Sequence, residues 1–192
     1  MTPHTQHAHP AAWVENESLE ISDVDAEIAR LRGGPRAGLL PTEESPEGRQ
    51  LRRWVTQTLV ARRLLEHEAS RLGLDENKAP TVRDVLPDRI AAMGLGGTLA
   101  NVLRQSPVAR AVYAAVTADE TVTNDEARAY LNRSGSREQD GGLDEARQVL
   151  LQARQRETFL DWMASRAAVR VRLEHGYEHP GDPSQPDATH RH

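Results

Sequence analysis

The sequence predicts a mainly α-helical fold, a multi-helix bundle around one long helix with a small β-ribbon, and three observations predict it. Ser45-Pro46 is an N-cap followed by proline at the first helical position, and Gly73 is a left-handed stop 27 residues further on. Between them Leu51, Trp54, Val55, Thr58, Leu59, Leu65, Ala69 and Leu72 recur mostly at three- and four-residue steps, one apolar stripe on a helix. Arg52, Arg53, Arg62, Arg63, Glu66 and Glu68 fill the remaining surface. Aromatic residues make up only 4% of the chain and hydrophobic residues 38%, so the core is built from Leu, Val and Ala, good helix formers for the most part. Finally, Trp13-Val14 near the start and Val169 to Leu173 near the end are the good strand candidates. Their pairing, joined by the segment around Leu19, brings the two ends of the chain together.

Taken in order, residues 1–11 form a polar tail, residues 12–174 one domain and residues 175–192 a second tail. Glu15-Asn16-Glu17-Ser18 reads as a turn, and Leu19 and Ile21 resume an extended pattern. Ser22 with Asp25 predicts a helix start, Val24, Ile28 and Leu31 its buried stripe, and Gly33-Gly34-Pro35 its end. Thr81 with Asp84 opens a short helix that breaks near Pro87. Ile90 to Arg104 reads as a helix with Ile90, Met93, Leu95, Leu99, Val102 and Leu103 inward, its glycines at 94, 96 and 97 serving close packing. Ser106-Pro107 repeats the cap-then-proline start, with Val108, Val112 and Val116 at four-residue spacing. Thr123-Asn124-Asp125-Glu126 is a full capping box. Leu143 to about Ser165 is the last long helix, carrying Ala146, Phe159, Trp162 and Met163.

Composition excludes several classes of function. A net charge of −5 and a pI near 5.9 argue against nucleic-acid binding. The absence of cysteine removes disulfides, thiolate metal sites and thiol nucleophiles. The polar N-terminus carries no signal-peptide core, and no run reaches the length of a membrane span, so a cytoplasmic protein without a membrane partner is expected. Ser134-Gly135-Ser136 lacks the strand–turn–helix setting of a serine nucleophile. Paired carboxylates such as Asp23/Asp25 sit where acidic residues complement helix N-termini.

The order of parts resembles the N-terminal domain of SurA-type foldases and related parvulin-class peptidyl-prolyl isomerases. The likeness lies in the strand, turn and capped-helix opening from Trp13 to Asp25, in Glu68-Ala69-Ser70-Arg71-Leu72-Gly73-Leu74 at the end of the long helix, and in the helix start Val122-Thr123-Asn124-Asp125-Glu126-Ala127-Arg128-Ala129-Tyr130. Leu143 to Leu173 fits the family's returning helix and closing strand. Only a short polar loop lies between Leu131 and Leu143, so no parvulin domain fits there and no isomerase residue carries over. SurA-type proteins are exported, whereas no export signal is read here. The resemblance implies a non-catalytic, chaperone-like helical cradle that holds a polypeptide client or partner, with an accessory role in a biosynthetic assembly.

Two groups of residues are site candidates. For partner binding they are Arg53, Trp54, Trp162 and Tyr177, within or beside an arginine-rich face that also includes Arg49, Arg52, Arg62 and Arg63. Arginine forks suit acidic partners, and the alternative is a solvated face. The second group is the His-rich ends: His9 on one side and His175, His179, His190 and His192 on the other, which paired terminal strands bring to one side. Imidazoles with nearby carboxylates suit zinc, nickel or copper. That pattern supports the alternative function, a small metal-dependent enzyme or metal-binding protein, against incidental histidines in polar tails. The Pro-rich tail after Gly176 also suits an extended segment lying along a groove of its own domain or of a partner.

Overall fold

The structure, a computed structural model, describes residues 9–134 and 142–179. It is mainly helical, with one three-stranded antiparallel sheet. Strand β1 (Pro10–Val14) lies between β2 (Glu17–Glu20) and β3 (Val171–Leu173). The helices are α1 (Ile21–Arg32), α2 (Pro46–Leu72), α3 (Val82–Val85), α4 (Arg89–Gln105), α5 (Pro107–Val116), α6 (Asn124–Ser134) and α7 (Gly142–Arg170). The chain divides into two compact units. The first takes the residues up to His67 and those from Ala167 onward, and the second is Glu68–Arg166.

In the first unit the sheet joins the two ends of the chain, as the strand candidates predict. Ala12 sits opposite Leu173, Trp13 opposite Arg172 and Val14 opposite Val171, while Leu19 pairs with Ala12 on the other side. From Ala12 onward burial alternates, with Ala12, Val14 and Leu19 buried and Trp13 half-buried, whereas Ala11, at the register shift between Pro10 and Ala12, is buried as well. The hairpin turns at Glu15, whose φ of +54° is uncommon for a residue with a Cβ. Helix α1 begins earlier than its sequence signature: the N-cap is Glu20, whose N–H donates to Asp23 Oδ2 at 3.1 Å, and Ser22 lies inside the first turn. Helix α2 is bound to this end of the unit by Arg63, which donates to Ser18 O and, at 2.9 Å, to Asp23 Oδ2. Arg52 pairs with Asp25 at 2.6 Å and with Glu43 at 3.2 Å.

Local signals were accurate in the second unit too. Thr81 caps α3 and Ser106 caps α5 through their hydroxyls. Thr123 and Glu126 form the reciprocal box at the start of α6. Gly73, with φ +65°, ends α2. Three expectations are corrected. Ile90 and Met93 are 73% and 69% exposed, because α4 breaks at Gly96 (φ +77°, ψ 158°), and ahead of that break Ala91, Ala92 and Leu95 face inward. Leu72 is half exposed in the last turn of α2. Val169 is 84% exposed in the last turn of α7, since the helix runs on to Arg170 and only Val171–Leu173 is strand. Of the helix glycines, Gly94 serves close packing: a Cβ there would lie 3.2 Å from Arg156 Nε.

The box at α6 carries a pH prediction. Arg154 Nη2 bonds Glu126 Oε1 at 2.8 Å, and the Thr123 N–H and hydroxyl donate to the other oxygen. The arginine first, and then the threonine, hold the Glu126 carboxyl down at about 2 from an ordinary 4.5. A depressed carboxyl stabilises the fold above its unfolded value and loses that contribution as pH falls from about 4.5 to about 2. The urea midpoint of the native chain should therefore exceed that of Glu126→Gln at pH 6, and the gap should close by pH 2. A gap that persists at pH 2 would show that the carboxylate charge is not its source.

Candidate functional site

The second unit holds an apolar cleft of about 260 Å³ lined by Glu68, Leu72, Ala115, Val116, Trp162 and Arg166. Its walls follow from helix periodicity. Glu68 and Leu72 stand one turn apart on α2, as do Trp162 and Arg166 on α7. Trp162 is held from behind. Its ring stacks on Phe159 with centroids 6.0 Å apart and 17° between planes, and Phe159 packs against Tyr113 at 5.0 Å. Phe159 is fully buried, and burial raises the Tyr113 phenol above its ordinary value. The indole is thus a fixed, half-buried wall of the cleft.

Two charges border this wall. The Arg166 guanidinium lies 5.5 Å above the Trp162 ring, within reach of a cation–π interaction. Its Nε stands 3.8 Å from Glu68 Oε2, inside ion-pair range and beyond hydrogen-bond range. The Glu68 side chain is 2% exposed and that of Arg166 42%. Solvent therefore meets mostly the guanidinium, while the compensating carboxylate lies beneath. A half-exposed set of N–H donors beside indole, leucine and valine suits an apolar side chain in the cleft and a carbonyl oxygen at its rim. The sequence placed Glu68 on the surface, and no local signal marks it as buried.

In the first unit the expected partner-binding residues on α2 have partners within the chain. Arg53 is 5% exposed rather than solvated, and its Nε donates to Gly176 O at 3.3 Å. One turn on, Gln57 Nε2 donates to Tyr177 O at 3.1 Å. Trp54 and Tyr177 are half-buried. The arginine-rich face is thus largely engaged, through Arg52, Arg53 and Arg63, by groups of the first unit. Trp162 belongs to the second.

The His-rich ends are brought together to the extent the sheet allows. His9 precedes β1 and its carbonyl accepts from Ile21 N at 3.0 Å, and His175 follows β3, where Glu174 N donates to Ala11 O at 3.0 Å. His9, His175 and His179 are exposed. Among the described residues no three His, Asp or Glu side chains cluster as a metal site would require, and His190 and His192 lie outside those residues. A further cleft of about 590 Å³ lies beside Trp13, Glu15, Val169 and Arg172. Several of its polar groups pair locally: the Trp13 indole N–H donates to Glu174 at 3.2 Å, Arg172 covers the ring, and Arg170 pairs with Glu15.

Comparison with known proteins adds one match. A family described only as a family of unknown function (DUF7158) matches residues 10–47, which carry β1, β2, α1 and the start of α2. No curated protein and no solved structure matches the chain. Among the described residues, no helix is long and apolar enough to cross a membrane.

Proposed function

We propose that this chain is a non-catalytic, chaperone-like protein of the cytoplasm that holds a polypeptide client or partner protein. The observation that carries the reading is the cleft at Trp162: a fixed indole, Leu72 and Val116 beside a half-exposed guanidinium whose counter-charge is buried. Apolar walls take a side chain, and the guanidinium takes the carbonyl of the same residue. Ile90 and Met93 add two exposed apolar side chains to the same unit. The likeness to SurA-type N-terminal domains, organised around the long helix Pro46–Leu72, points the same way and implies service to a biosynthetic assembly. The metal-dependent alternative would draw on His9, His175, His179, His190 and His192.

The test uses the full chain labelled with 5-fluorotryptophan and titrated with a reduced, carboxymethylated, permanently unfolded protein. The Trp162 fluorine resonance should move, and Trp162→Ala should weaken binding by about 2 kcal/mol, the scale of an aromatic hot spot. Leu72→Ser, at an exposed position, should weaken it without unfolding the chain. Binding that leaves the Trp162 resonance and both variants unchanged would remove the cleft from the reading, and no binding at all would overturn the reading itself.

A further inference from the structure

The geometry points to a second polypeptide-binding track, on the Arg53–Gln57 turn of α2, that this chain's own residues 175–179 occupy in cis. Arg53 and Gln57 stand one turn apart on a helix face and donate to the carbonyls of two successive residues, Gly176 and Tyr177. Both bonds go to the main chain, so the track reads backbone in irregular or extended form. A helical segment spends its interior carbonyls within itself and has few to offer. Arg53 is almost wholly buried, so its bond to Gly176 O, long at 3.3 Å, is made out of solvent.

The seated segment is built as a separable piece. Its own turn is closed locally: Gly176 N donates to Glu178 Oε2 at 2.7 Å, and Tyr177 N donates to Glu174 O at 3.1 Å. Gly176 adopts φ +93°, a conformation that residues with a Cβ rarely take, and a Cβ there would meet nothing within 4 Å. That one torsion is therefore the point at which the segment can be loosened without touching α2. The occupant that fits in trans is an extended polypeptide with a glycine–aromatic pair like Gly176-Tyr177, and it must compete with the cis segment. A partner that binds only the uncovered state has its apparent affinity reduced by the fraction of molecules uncovered. This inference rests on the first unit alone and stands apart from the cleft at Trp162.

The test compares the full-length chain, its Gly176→Val variant and the double variant Gly176→Val with Gln57→Ala. The probe is an end-blocked, fluorescently labelled synthetic peptide of residues 173–179, and the readout is anisotropy. Valine cannot hold φ +93° without strain, so the cis segment should lift and the peptide should bind Gly176→Val about tenfold more tightly than the native chain. Adding Gln57→Ala should remove that gain, because the variant deletes one of the two donors while Arg53 and the helix core stay intact. Equal binding to native and Gly176→Val chains overturns the inference. A gain that survives Gln57→Ala also overturns it, since the peptide would then be held elsewhere.

Discussion

Replacing Phe159 by alanine is expected to destabilise the second unit by about 3–5 kcal/mol, the range for removing a fully buried large aromatic side chain. Phe159 is the chain's only phenylalanine, it is 0% exposed, and it lies between Tyr113 and Trp162. The cavity left behind would open beneath Trp162, so the loss should reach the cleft as well as the core. Phe159→Leu separates the two effects. It keeps most of the volume at a cost of about 1.5 kcal/mol or less, yet it loses the stack that fixes the indole. The measurement is urea unfolding followed by fluorine resonances of the three tryptophans. Trp162 reports on the second unit, and Trp13 and Trp54 report on the first. In Phe159→Ala the Trp162 transition should move to clearly lower urea. A Trp162 midpoint within experimental error of the native chain would mean that the ring is not the packing centre its burial indicates.

How much of this was legible in the sequence depends on how local the cause is. Ser45, Thr81, Ser106 and Thr123 cap their helices because a hydroxyl oxygen reaches an N–H three residues on, and that geometry is complete within one turn. The pairing of β1 with β3 was legible because few segments alternate apolar and polar residues, so the partners were forced. Phase was harder. Ile90 and Met93 fit the apolar stripe of an unbroken helix, but Gly96 resets the rotation, and a glycine in a helical pattern does not announce its φ. Val169 fits a strand alternation that is too short to outvote the helix preceding it.

The candidate sites were legible only as residue types. Trp54, Trp162, Arg53 and Tyr177 stand out because large amphipathic side chains are rare here. What each one meets is a tertiary matter. Arg53 and Glu68 sit in a helix rich in charge, and nothing in their neighbours separates them from Arg62 or Glu66. Among their partners are Gly176, more than 100 residues away from Arg53, and Arg166, nearly as far from Glu68. Partners at such separations leave no periodic trace, so a charged residue that the fold buries reads in sequence like any solvated one.

Gly48→Ala should destabilise the chain by about 2 kcal/mol, although helix propensity alone favours the change by about 1 kcal/mol. Gly48 lies in the first turn of α2, and its N–H donates to the Ser45 hydroxyl at 3.0 Å. Ser45 in turn donates from its hydroxyl and its N–H to Thr42 O, at 2.8 and 3.2 Å. The turn from Thr42 to Ser45 therefore folds back on the start of the helix. A Cβ on Gly48 would collide with Thr42 O and lie 2.6 Å from Glu43 O and 2.8 Å from Glu43 C. All of these are backbone atoms, so no side chain can swing aside. Either the turn moves and the Ser45 cap is lost, or α2 begins later. Losing such a cap costs about 1 kcal/mol on its own. Gly97→Ala is the internal control. It also replaces a helical glycine, but its Cβ meets nothing within 4 Å, so propensity should act unopposed and the variant should gain up to about 1 kcal/mol. Opposite signs in the urea midpoints of the two variants are the expected result. A stabilising Gly48→Ala would mean that the turn ahead of α2 yields freely, and that the start of the long helix is set by its own sequence rather than by the chain folded over it.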